Sequence, residues 1–232
     1  MIRSYKKMLG TCIQALDGDI GKLKDIYFDD SSWDVQYFVV ELGSWFSGKE
    51  VIVPPAVITP FDGVLVRVSL TKAELKLCPH ADTAIPVSLQ QRYHERSLFN
   101  LVYNTGGLMY GGPLIVPPVS AEMQNTSGID PHLRSCKKLS KYALAGKDGD
   151  IGVIADILFD DSTWMIRFIV ASINDGSSRQ EKLFNPSLVD SIEWSISAVK
   201  VETNRKQALQ KPTYNPCRHL DTSYEVLEKE IC

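Results

Sequence analysis

The phrase DGDIGKLKDIYFDD at 17–30 recurs as DGDIGVIADILFDD at 148–161. The likeness runs without a gap from 17–42 to 148–173, with about half of the positions identical. At the same offset of 131, Glu50 meets Glu181, Pro55 meets Pro186, and VLVRVSL (64–70) lies against SISAVKV (195–201). A period this long marks a duplicated domain, not a solenoid. The chain must therefore build one small fold twice, and its 232 residues suffice for two units of about 100 residues each.

The repeated phrase carries its own local structure. Asp-Gly between apolar segments is a hairpin signal, because both turn residues favour φ > 0. Asp17-Gly18 and Asp148-Gly149 are thus expected to turn the chain, and Gly21 and Gly152 to mark a bulge or a close backbone approach. Strands follow at Leu23–Phe28 and Ile154–Phe159. Asp29-Asp30-Ser31-Ser32 and Asp160-Asp161-Ser162-Thr163 form a second turn. Trp33 and Trp164 open a third strand, Val35–Leu42 and Ile166–Ile173, apolar on both alternating faces as in a strand buried on both sides. Lys22, Lys24, Val153 and Ala155 differ between the copies, which places them on an outer face.

Further strands are expected at Glu50–Val53, Lys182–Phe184, Val64–Leu70 and Ile196–Val201, with the proline-rich PPAVITPFDG as a corner. Thr71 and Glu74 have capping-box spacing and open a short helix that Pro79 ends. Five or six short strands per half, with turns every 8 to 12 residues, predict a mainly β chain: two tandem, small, antiparallel barrels, each closed and self-sufficient, with short helices in the connecting segments. The division is 1–80 for the first barrel, 81–130 for a helical and Gly/Pro-rich connector, 131–212 for the second barrel and 213–232 for a tail. Within the connector, 86–104 reads as a helix and 123–132 as a flexible linker.

Charge narrows the function. Lys and Arg against Asp and Glu number 9 to 10 in 1–80, 2 to 4 in 81–130 and 14 to 14 in 131–232. No segment is basic enough for a broad phosphate-binding face, so direct nucleic-acid binding is not expected. No apolar run reaches the roughly 18 to 20 residues of a membrane span. MIRSYKKMLGTCIQAL reads as a disordered tip leading into a strand, not a signal peptide. The five cysteines are odd in number and show no C-x-x-C spacing, which fits a cytoplasmic chain with free thiols; neither they nor the four scattered histidines cluster as a zinc site. Cys12 reads as a buried small apolar residue and Cys232 as an exposed thiol.

These residues resemble the PRC-barrel family, which includes the cytoplasmic domain of the photosynthetic reaction-centre H subunit. The carrying motifs are D-G-D-I-G, F-D-D-S-x-W, W-F-S-G-K-E-V-I-V-P (45–54) and V-S-L-T-K (68–72); P-V-S-L-Q-Q (86–91) and D-P-H-L-R-S (130–135) look like linkers of tandem members. The resemblance covers about 5–90 and 130–212. It implies a small barrel that binds partners without catalysis: the reaction-centre subunit caps a membrane complex and influences electron transfer, and a related barrel in ribosome-maturation factors binds a ribosomal protein. No counterpart of the reaction-centre subunit's N-terminal transmembrane helix is expected in these residues. Its second copy has NDGSSRQE (174–181) where the first has the W-x-x-G-K loop.

Candidate sites follow. Trp45 and Phe46 in the first-copy loop are the candidate partner-binding residues; the other reading packs them over a barrel end. Asp29, Asp30, Asp160 and Asp161 suit a solvated turn better than a cation loop, which would want more acids or amides at alternate positions. His94 and Glu95 are adjacent on a helix and do not face each other. The glycines of 105–112 follow a helix and run into prolines, unlike a phosphate loop. No catalytic residue, cofactor or metal is expected. The expected function is a non-catalytic interaction module binding a protein partner, with a homodimer as a further expectation; the alternative is a ribosome-associated adaptor that binds a ribosomal protein.

Overall fold

The computed structural model describes residues 1–43, 48–59, 63–84, 86, 131–176 and 178–216. The first half supplies β1 (Ile2–Ser4), α1 (Tyr5–Met8), β2 (Cys12–Ala15), β3 (Gly18–Asp29), β4 (Val35–Leu42), β5 (Glu50–Val53), β6 (Leu65–Arg67) and α2 (Lys72–Leu77). The second supplies β7 (Leu133–Ser135), α3 (Cys136–Leu139), β8 (Ala143–Gly146), β9 (Gly149–Asp160), β10 (Ile166–Asn174), β11 (Arg179–Phe184), β12 (Val189–Glu193), β13 (Ala198–Val201) and α4 (Arg205–Gln210). The connector helix expected over 86–104, the linker 123–132, Trp45, Phe46, His94, Glu95, Cys232 and a tail helix near 222–229 lie outside the described residues, apart from residues 86, 131 and 132.

The chain is mainly β, with two sheets and short helices. One sheet runs β5-β4-β3-β2-β6 and the other β11-β10-β9-β8-β13-β12. Pairs are antiparallel except β2 with β6 and β8 with β13, which are parallel. Neither sheet closes into a barrel. Each sheet is instead extended from the other half: β1 pairs with β9, and β7 pairs with β3. Residues 2–8, expected as a disordered tip, form a strand and a helical turn with Tyr5 and Met8 buried. The arms of the two halves are exchanged.

The expectation of two self-sufficient cores fails as well. One apolar cluster joins Phe28, Phe38 and Val40 of the first half to Ile157, Phe159 and Ile169 of the second. The double-sided strands make this possible. Phe38 and Val40 face the common core, while Val39 packs with Tyr27, Ile52 and Leu133 on the opposite face. In β10 the opposite face carries Phe168 and Val170, packed with Leu158 and Leu183. Each outer face is capped by the segment after a helix: Ile52 donates to the Pro79 carbonyl and Leu183 to the Pro212 carbonyl. At about 25 cal/mol per Å² of apolar surface removed from water, burial on both faces is the main gain that offsets chain ordering.

The turns differ in detail from the expectation. Ala15 pairs with Gly18 and Gly146 with Gly149, so the turn residues are Leu16-Asp17 and Lys147-Asp148. Gly18 and Gly149 take φ of 115° and 122°, whereas Asp17 and Asp148 stay at negative φ. The acids serve the helices instead: the Lys72 amide donates to Asp17 Oδ1 at 2.8 Å, and the Arg205 amide to Asp148 Oδ1 at 3.0 Å. The Thr71–Glu74 capping box forms, and Asn204 with Gln207 makes a second one. Gly21 and Gly152 flank a register shift, and a Cβ on either would sit 2.1 Å or 2.3 Å from a carbonyl oxygen of the neighbouring strand.

Candidate functional site

Where the two halves meet, residues 131 apart make matching contacts. Asp25 opens the buried run Asp25–Phe28 of β3 and is itself buried. Its carboxylate accepts from the Ser135 hydroxyl at 2.5 Å, the Lys137 amide at 3.0 Å and the Ile26 amide at 2.8 Å. Asp156 in β9 accepts from Ser4 at 2.5 Å, the Lys6 amide at 3.0 Å and the Ile157 amide at 2.8 Å. Each buried acid thus holds the first turn of the helix in the other half's arm. Burial pushes Asp25 up to about 6 against the pull of these donors, and pushes Asp156 up as well. Burial also raises the Tyr5 phenol and the Cys136 thiol.

The acidic turns join the same arrangement. Asp30 pairs with Arg134 at 2.5 Å and with His132 at 2.9 Å, and Asp161 pairs with Arg3 at 2.7 Å. Asp29 and Asp160 accept from the amide and hydroxyl of Ser31 and Ser162. Burial pushes Asp29 up, but the Ser31 hydroxyl and the Ser31 and Ser32 amides outweigh it and hold the carboxyl below its usual range. These oxygens face donors of the chain itself. Among the described residues no group of three His, Cys, Asp or Glu side chains is placed to hold a metal ion.

Trp33 and Trp164 are the residues the sequence reading missed. Both take positive φ, 63° and 58°, rare for a bulky side chain and costing roughly 1–2 kcal/mol each. The conformation aims each carbonyl at the other half: the Ile166 amide donates to Trp33 O and the Val35 amide to Trp164 O, both at 2.8 Å. The Trp164 ring meets Phe38 edge-on at 4.9 Å, and Trp33 stacks on Phe28 at 5.5 Å. A signal existed in the arms: IRSYKKM at 2–8 stands over LRSCKKL at 133–139 at the same offset. A shared acid in mid-strand, Asp25 or Asp156, was the other.

Among the described residues, the two halves differ in how the connections after β4 and after β10 are tied. In the second half it is short and tied down. Ser178 donates to Asp175 at 2.7 Å and Gln180 to Asp175 at 2.6 Å. The Arg205 guanidinium bonds the carbonyls of Asp150, Ile151 and Asn174. In the first half the base of the connection is closed by Leu42 N–H to Lys49 O at 2.9 Å and Gly43 N–H to Ile20 O at 2.8 Å. Lys49 Nζ reaches the Lys76 carbonyl at 2.9 Å, next to the end of α2. Trp45 and Phe46 belong to residues 44–47, outside the described set. Cys12, expected to be buried, is half-exposed in β2.

The family model for the PRC-barrel domain matches residues 6–71. The first half therefore carries a PRC-barrel domain, and the match begins within α1, just after β1, the strand that joins the opposite sheet. An uncharacterised protein of Deinococcus radiodurans is similar to this chain, 35% identical over 69 residues. The match covers 29% of this chain and about a quarter of that relative's length, 25%. Among the described residues no helix is long and apolar enough to cross a membrane.

Proposed function

We propose that residues 131–212 form a second PRC-type unit, and that the chain is a cytoplasmic, non-catalytic interaction module whose first unit presents Trp45 and Phe46 to a protein partner. The observation that carries this reading is the asymmetry at one connection. Seven residues separate β4 from β5, two of them aromatic, whereas four separate β10 from β11, where Asp175 bonds Ser178 and Gln180 and Arg205 bonds the Asn174 carbonyl at the end of β10. Elsewhere the shared side chains are engaged in the fold: the buried acids hold the arms, and the acidic turns pair with Arg3 and Arg134. An aromatic pair on an asymmetric loop is the type of anchor that concentrates binding energy. A membrane electron-transfer complex is the partner class that the family resemblance favours.

The test compares the full chain with Trp45→Ala/Phe46→Ala as bait, with the recovered partner then purified and titrated against both. At least a tenfold loss of affinity at unchanged unfolding midpoint supports the loop. Equal binding by both proteins rejects it. Co-sedimentation with ribosomes that persists at high salt would instead favour the ribosomal adaptor.

A further inference from the structure

The matched contacts between the halves cannot by themselves tell one half from the other. IRSYKKM and LRSCKKL present the same serine hydroxyl and lysine backbone amide to Asp156 and Asp25, and the same arginine to Asp161 and Asp30. By those contacts alone, the first half would fit the first half of a second molecule as well as its own second half. The arms differ sharply at one buried position. Tyr5 follows Ser4, and Cys136 follows Ser135; both are buried in the common core. Tyr5, carried with its arm onto the second half's β9, reaches back to its own half, its hydroxyl donating to Asp25 Oδ1 at 3.3 Å. Ser135 and the Lys137 amide, the neighbours of Cys136 on either side, bond that same carboxylate. A large and a small side chain therefore stand in one core where the halves meet, beside the same carboxylate.

We propose that Tyr5 and Cys136 are the specificity-determining pair of this interface, and that their size difference directs each half to the unlike half. Two tyrosines at these positions would overfill a core packed like an organic crystal, and two cysteines would leave a void. Only the unlike pairing fills the space. The interface thus accepts as a partner a PRC-type unit whose arm carries the complementary size, and this chain supplies that unit itself. The inference stands independently of the loop containing Trp45.

Four full-length variants test it by thermal unfolding with light scattering: Tyr5→Cys, Cys136→Tyr, the double exchange Tyr5→Cys/Cys136→Tyr, and Tyr5→Phe. Each of the first two lowers the midpoint by at least about 5 °C, and the double exchange returns to within about 2 °C of the parent. Tyr5→Phe keeps the size and loses only the bond to Asp25, so its midpoint falls by less than half that of Tyr5→Cys. A double exchange as unstable as the sum of its singles, or one that does not fold, overturns the proposal. So does a Tyr5→Phe protein as unstable as Tyr5→Cys.

Discussion

Ser135 donates its hydroxyl to the buried carboxylate of Asp25 at 2.5 Å, across 110 residues of chain, and Ser4 does the same for Asp156. These two bonds fasten each arm to the sheet of the other half. Ser135→Ala leaves a buried carboxylate short of one donor and is expected to cost about 1–3 kcal/mol in urea unfolding. Asp25→Ala strands the Ser135 hydroxyl and the Lys137 amide together and costs more than Ser135→Ala. Because the halves share one core, both variants should keep a single transition by fluorescence and circular dichroism. Two separated transitions would refute the shared core.

The same acids set a pH dependence. Asp25 titrates in the native state at about 6, above its ordinary 3.8, and Asp156 is shifted the same way. Between those values the native state binds more protons than the unfolded chain, so stability falls as pH rises through the window. The full benefit of protonation is present below about 4 and gone above about 6. Asp25 alone corresponds to about 3 kcal/mol. Urea midpoints at pH 5 should therefore exceed those at pH 7, and Asp25→Asn should flatten the difference. Below about pH 4 the trend should reverse, as Asp29, Glu41 and Glu74, whose carboxyls are held low by hydrogen bonds, become protonated. A midpoint that rises steadily from pH 5 to 7 would contradict this assignment.

Gly21 and Gly10 separate two reasons for glycine. A Cβ on Gly21 would lie 2.1 Å from the Glu41 carbonyl oxygen, so Gly21→Ala must push two paired strands apart. Gly10 has φ of 81° but open space around it. Gly10→Ala is expected to cost about 1–2 kcal/mol of backbone strain, and Gly21→Ala clearly more, about 3 kcal/mol or beyond. Gly152→Ala should match Gly21→Ala. Equal midpoints for the Gly10 and Gly21 variants would rule out the close approach.

Trp164 packs edge-on against Phe38 of the first half and tilts against Phe159 of its own. Trp164→Ala empties space on both sides of the junction and should cost about 3–5 kcal/mol. Trp164→Phe should retain part of that. A Trp164→Ala protein within about 0.5 kcal/mol of the parent would show that the junction carries little of the stability.

Much of each unit was legible from local pattern. A run apolar on both faces placed β4 at Val35–Leu42, and a short apolar run placed β5 at Glu50–Val53, as found. Thr71 and Glu74 announced α2 because a capping box is satisfied within four residues. The Asp17-Gly18 turn was located to within one residue, yet the role of Asp17 as a cap for Lys72, 55 residues on, was not. Local turn chemistry accounts for the glycine, and only a distant helix accounts for the acid. The arm at 2–8 was misread because three strand residues and one helical turn are too short to show periodicity.

The sequence by itself determined that one pattern is written twice, that the chain is mainly β, and where β4, β5 and α2 fall. Those properties depend on residues within one or two turns of each other. Only the tertiary structure decided that the sheets stay open, that the arms cross over, and that the halves share a core. Asp25 and Ser135, or Trp164 and Phe38, lie more than a hundred residues apart, and the shared arginine and serine of the two arms suit either sheet edge. Which edge is taken depends on burying Phe28, Phe159 and their neighbours against one another, a gain that exists only when both halves are present.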